Sequence, residues 1–151
     1  MLELTKVATI SLTFVMASCS PLGSSKGTDD LESSPVQSMP PGVEAISFLG
    51  DALRPPLQPS GVRAVYMERY EEAERALAAA PTNADSLIWM GRRTAYLGRY
   101  RDAIDIYSMA IGLHPEDARL YRHRGHRYLS VREVGKAIAD LERAAELTDG
   151  R

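Results

Sequence analysis

Shifting the sequence against itself by 34 residues brings Ala84 onto Ala118, Gly91 onto Gly125, Arg93 onto Arg127, Ala103 onto Ala137, Ile104 onto Ile138, Ala110 onto Ala144 and Leu113 onto Leu147. A unit of that length cannot bury its own apolar face alone, so such a chain folds by stacking one unit on the next. The residues that coincide are mostly small, and small residues recur where helices approach closely. Gly91 and Gly125 fall inside apolar-periodic stretches, where glycine costs about 1 kcal/mol against alanine, so a packing reason is expected for both. Ala103, Ala110, Ala137 and Ala144 join them as candidate packing positions.

The helices follow from the same pattern. Asn83 is placed to cap a helix over 83–97 that Gly98 ends, and a second runs over 100–113 to the turn at His114 and Pro115. The next unit repeats this over 117–130 and 133–148. Before them, Val62, Tyr66, Tyr70, Ala73, Leu77 and Ala80 recur at three- and four-residue steps, which predicts a leading helix within 61–82, supported by Glu71 four residues ahead of Arg75. No strand-length alternation of β-branched residues follows, so the fold class is all-α.

Within each unit the spacing W-x₂-L-G-x₂-Y is echoed by Leu87, Met90, Gly91 and Thr94, and again by Tyr121, Arg124, Gly125 and Tyr128. The later pattern A-x₃-F followed by Pro is echoed by Ala103, Tyr107 and Pro115, then by Ala137, Leu141 and Asp149. Several large positions are substituted and the small ones are intact. The chain resembles the tetratricopeptide repeat family over residues 84–151. That resemblance implies antiparallel helix-turn-helix repeats stacked as a short solenoid, with units at 83–116 and 117–150. It also implies a groove for peptides or partner segments lined by the first helix of each unit, here Asp85, Ile88, Trp89, Arg92 and Tyr96, then Arg119, Arg122, His123, His126 and Ser130. Trp89, Arg92, Tyr96, Arg119, Arg122, His123 and His126 are the candidate partner-binding residues, because aromatic and guanidinium groups together suit a binding hot spot. Residues 84–151 hold twelve Lys and Arg against ten Asp and Glu, while 20–83 hold five against nine. The groove is therefore expected to favour an acidic segment, either a partner's or the chain's own. The plainer alternative is that Trp89 is partly core and the arginines form a solvated face.

The N-terminus carries a different signal. Behind Lys6, residues 7–18 are mostly apolar, too short for the ~20 residues that span a bilayer and suited to the core of a signal peptide at 1–18. Met16-Ala17-Ser18-Cys19 resembles the lipobox of bacterial lipoproteins, departing from it where Met16 replaces the usual Leu and where Glu3 dilutes the positive region. The resemblance implies that Cys19 carries the lipid anchor, palmitate included, and that the mature chain sits in the bacterial cell envelope. With Ser20 rather than Asp after the cysteine, it leans towards the outer membrane facing the periplasm. Ordinary secretion and an uncleaved anchor are the alternatives. Residues 19–42, rich in Ser, Pro and Gly, read as a flexible tether reaching about 25 Å. A short Pro-rich packing segment fills 43–60, either a helical turn laid on the domain or a cover for an exposed helix face.

Other function classes find no support. A formal charge of −2 lacks the basic excess of a nucleic-acid binder, and a single cysteine permits neither an intrachain disulfide nor a cysteine metal site. His123 and His126, three apart, have no carboxylate suitably placed on their helix to complete a metal site, and no nucleophile, phosphate loop or catalytic carboxylate pair is evident, so neither enzyme activity nor a cofactor is expected. The expected function is an interaction scaffold or adaptor; the alternative is the N-terminal binding part of a longer repeat-containing enzyme or envelope assembly factor. The last helix presents Val134, Ile138, Leu141 and Ala145 with no solvating helix after it. Continuation of the array, docking onto another chain, or oligomerisation through this C-terminal helix would each cover that face.

Overall fold

The structure, a computed structural model, describes residues 39–148. The leader, Cys19, most of the tether and Asp149 lie outside the described residues. Two short strands, β1 (Ala45–Ile46) and β2 (Ala52–Leu53), precede five helices: α1 (Ser60–Ala79), α2 (Ala84–Tyr96), α3 (Tyr100–Leu113), α4 (Ala118–Ser130) and α5 (Val134–Leu147). Each helix packs on the next, and α2 also touches α4. This is the stack the period predicts, with α2–α3 and α4–α5 as the two repeats.

Local chemistry sets the helix ends. Asn83 accepts a hydrogen bond from the Ser86 backbone N–H at 2.9 Å, and Asp117 accepts one from that of Arg119 at 3.0 Å, so each repeat opens on a side-chain cap. The turn inside each repeat uses a left-handed residue at equivalent positions, Gly98 at φ 82° and Arg132 at φ 66°. Glycine is needed at the first because Pro55 crosses directly above it: an added Cβ would stand 2.5 Å from that ring.

The two helices of the first repeat meet at Gly91. An added Cβ there would lie 2.5 Å from the Tyr107 ring, which is fully buried with Leu87, Ala103, Ala110 and Leu120. In the second repeat Leu141 replaces Tyr107, and the corresponding approach to Gly125 is 3.1 Å, with the Ala137 carbonyl oxygen at 3.3 Å. Ala137 is fully buried and Ala144 nearly so.

Two expectations need revision. Residues 43–53 form an antiparallel hairpin, pairing Ala45 with Leu53 and Ile46 with Ala52, rather than a helical turn. The turn is local in origin: the Ser47 hydroxyl accepts from the backbone N–H groups of Leu49 and Asp51, and Gly50 takes φ 91°. The hairpin then straps the repeats together. Ala45 is buried with Ile104 and Val131, and Arg101 reaches both sides, donating to the Glu44 carbonyl at 2.9 Å and the Glu133 carboxylate at 3.1 Å. On α1 only Ala73 is buried, Val62 is exposed, and the ion pair that forms is Arg69 with Glu72 at 2.9 Å rather than Glu71 with Arg75.

The substituted motif position Arg124 is balanced by a second substitution. Its guanidinium donates two 2.7 Å hydrogen bonds to the Asp140 carboxylate and a third, at 3.1 Å, to the Ser108 hydroxyl of α3. One repeat earlier the same two positions hold Met90 and Ile106. A bidentate pair stands where the first repeat has two apolar side chains, and both partners are largely buried. Asp140→Ala should therefore cost about 3–5 kcal/mol in urea unfolding, because it strands a buried guanidinium, whereas Arg124→Met with Asp140→Ile should be neutral or stabilising. A double variant as unstable as the single one would show that the two repeats are not interchangeable here.

Candidate functional site

Between α2 and α4 runs a trough whose floor is Tyr107 of α3. Arg92, Ala95 and Tyr96 line it from α2, His123 and Arg127 from α4, enclosing about 150 Å³. The spacing explains the convergence: Arg92 and Tyr96 are one helical turn apart, as are His123 and Arg127, and the two helices lie side by side. The Arg92 guanidinium donates to the Tyr96 hydroxyl at 3.3 Å and lies 4.3 Å from the centre of the Trp89 ring. His123 stacks on Tyr107 with ring centres 5.7 Å apart. Tyr96 in turn stacks on Tyr66 of α1 at 5.6 Å, which ties the leading helix to the rim.

The trough is electropositive. None of its six lining residues is acidic, and neither Arg92 nor Arg127 forms an ion pair with a described carboxylate. Burial, reinforced by the nearby charges of Arg92, Arg122, His126 and Arg127, pushes the His123 imidazole down to about 4, so it is neutral at pH 7. The hydrogen bond from Arg92 lowers the Tyr96 phenol, while burial raises that of Tyr107.

The other candidates are distributed differently. Trp89, 42% exposed, has Arg93 at 4.8 Å on its ring in addition to Arg92, and faces a second depression between α1 and α2. Arg119 is held by Asp117 at 2.7 Å and, across the repeats, by Asp85 at 2.8 Å. With Arg122 it lines a third depression, between α4 and α5. His126 is exposed outside the trough, and Ile88 lies in the core instead of on the groove. Arg127 was not among the candidates, although its one-turn spacing from His123 marks the same face. Among the described residues no cluster of three or more His, Cys, Asp or Glu is placed to hold a metal ion, and no helix is long and apolar enough to cross a membrane.

No protein-family model matches the chain, and no curated protein does. Solved structures similar to it include two of MamA. MamA from MSR-1 superimposes with a TM-score of 0.52 at 25% identity, covering 59% of this chain and 51% of that one. MamA from AMB-1 gives 0.52 at 25% identity, covering 58% and 52%. MamA is a protein of tetratricopeptide type. The fold is therefore tetratricopeptide-like. The chain spans about half the length of the MamA structures it matches. In this tetratricopeptide-like frame, the trough lies along the first helices of the two repeats.

The depressed imidazole links the trough to stability. An unfolded histidine near 6.5 takes up a proton that His123 refuses until about pH 4, so the unfolded chain binds more protons in that window. Stability should fall as pH drops from about 6.5 to about 4, and His123→Phe should flatten this part of a urea-unfolding pH profile. An unchanged slope in the variant would place the titration elsewhere.

Proposed function

We propose that this chain is a protein–protein interaction scaffold whose α2–α4 trough receives an acidic or carboxylate-bearing segment of a partner. The convergence of Arg92 and Arg127 over an aromatic floor, with no carboxylate among the lining residues, carries this reading. Guanidinium groups recognise carboxylates through paired hydrogen bonds. The neutral imidazole adds a polar contact without a competing charge. A hydrogen bond to a charged group contributes about 1.5–3 kcal/mol, so two guanidinium contacts suffice for a weak, exchangeable complex. The tetratricopeptide-like fold supports the scaffold role, and the reading includes neither an enzyme activity nor a cofactor.

The proposal includes location. Cys19, read as a lipid attachment point, would hold the mature chain in the bacterial cell envelope, at the outer membrane facing the periplasm, with residues 20–42 as the tether. One acyl chain binds a membrane only marginally and several bind it stably, which is the physical use of a lipidated cysteine on an otherwise polar chain.

Both halves are testable on the full chain. Binding of a fluorescent poly-glutamate peptide should weaken as salt rises and by about tenfold or more on replacing Arg92 and Arg127 by Glu, with helical content unchanged. Equal affinity in the variant would remove the trough from the account. In membrane fractionation Cys19→Ser should move the chain to the soluble fraction, and an unmoved chain would remove the anchor.

A further inference from the structure

The 34-residue translation that relates the repeats also relates their surfaces, and among the described residues it leaves an open groove at each end of the stack. Between α4 and α5 lies a groove of about 270 Å³ whose lining includes Ala118, Arg122, Leu141, Ala144 and Ala145. One repeat earlier those positions are Ala84, Ile88, Tyr107, Ala110 and Ile111. There Ile88, Tyr107 and Ala110 are buried in the core that receives Leu120 of α4, with Ile111 packed against it. The α4–α5 groove is thus the seat of one more helix.

At the other end a groove of about 260 Å³ between α1 and α2 includes Arg69, Glu72, Ala73, Ala76 and Trp89 in its lining. One repeat later, the equivalents of Arg69, Ala73 and Ala76 are Ala103, Tyr107 and Ala110, all fully buried. This second groove is equivalent to the place that α2 takes against α3 and α4 one repeat later. Along it α1 presents a stripe at three- and four-residue steps, Val62, Val65, Arg69, Glu72 and Ala76, with Val62 42% and Val65 52% exposed.

We propose that the two openings are complementary halves of one contact, in which the α1 stripe of one copy seats in the α4–α5 groove of the next. Charge favours that pairing. Helix α4 carries four arginines and no acidic residue. Arg122 stands where the first repeat has Ile88, is exposed, and forms no ion pair or hydrogen bond with a described residue, so it is open to a carboxylate on an occupant. Helix α1 carries four glutamates against three arginines; Glu72 lies in the stripe, where Arg69 holds it at 2.9 Å, and Glu68 borders it. Apolar surface matches as well: Val134 and Ile138 on α5 are exposed beside the groove, at 42% and 51%. The two faces are different, so the contact is heterologous and propagates as a ring or a filament rather than closing as a two-fold dimer. The α2–α4 trough takes no part, and a partner bound there would be carried in multiple copies.

Sedimentation velocity on the full chain tests this. Over about a hundredfold range of concentration the mean mass should rise past that of a dimer, since a heterologous contact keeps adding copies. Arg122→Glu alone, and Glu68→Arg with Glu72→Arg alone, should each stay monomeric while retaining the native helical circular dichroism. Mixing the two variants should restore association, because every contact in an alternating chain then pairs opposite charges. A native chain that stays monomeric would overturn the proposal and leave the groove to a helix of another protein. Association of Arg122→Glu at native strength would overturn it too, by locating the contact elsewhere, including residues 1–38. So would a mixture that remains monomeric.

Discussion

The approach of α2 to α3 at Gly91 is the contact on which the rest of this structure is built. With no Cβ at that point, the Tyr107 ring packs close against the α2 backbone, where even one methyl group would intrude to 2.5 Å. Overpacking of that kind in a filled core costs about 1–3 kcal/mol, more than the roughly 1 kcal/mol that glycine gives up in a helix. The same ring closes the core over Leu87 and Leu120, forms the floor of the trough, and stacks on His123. A single side chain therefore couples the hairpin of helices, the join between repeats and the chemistry of the candidate site. In the second repeat Leu141 takes its place with a looser approach, and that is the end where the α4–α5 groove lies open.

Period and caps were legible because they are local. Asn83, Asp117, the small residues and the apolar spacing all act within a few residues, and the helices begin and end where those signals stand. The hairpin was not legible. Its two-residue strands are too short to show alternation, and its anchors, Ala45 on Ile104 and Val131 and Glu44 on Arg101, are distant in sequence. The Arg124–Asp140 pair was hidden for a related reason. Each residue alone reads as an exposed polar position, and only their joint replacement of Met90 and Ile106 signals burial. At the candidate site, Arg92, Tyr96 and His123 line one trough, whereas Ile88, expected on the groove, is buried, because family alignment specifies a face of a helix and not how deeply it is covered.

Charge is distributed by element. Helix α4 is cationic throughout, and α1 carries more acidic than basic residues. Arg119 with Asp85 and Arg101 with Glu133 pair across the repeats, while Arg69 with Glu72, Arg99 with Asp102 and Arg143 with Glu146 pair one helical turn apart. Arg92 and Arg127 in the trough and Arg122 in the terminal groove have no carboxylate of that kind. Exposed ion pairs contribute about 0–1 kcal/mol to stability, so such positions shape recognition more than folding. The reading that emerges is a stack with one electropositive trough along its first helices and, among the described residues, an open groove at each end.

Amide hydrogen exchange on the full chain tests that reading most directly, because protection reports the free energy of opening segment by segment. The account places the slowest exchange in the middle of α2, in α3 from Ala103 to Ala110, and around Leu120 in α4, where the buried side chains share one core. Helix α1 and the outer half of α5 should exchange faster in dilute solution, since each has an uncovered face. Slowest exchange in α1 or α5, or uniform protection across all five helices, would contradict a stack centred on the Gly91–Tyr107 contact.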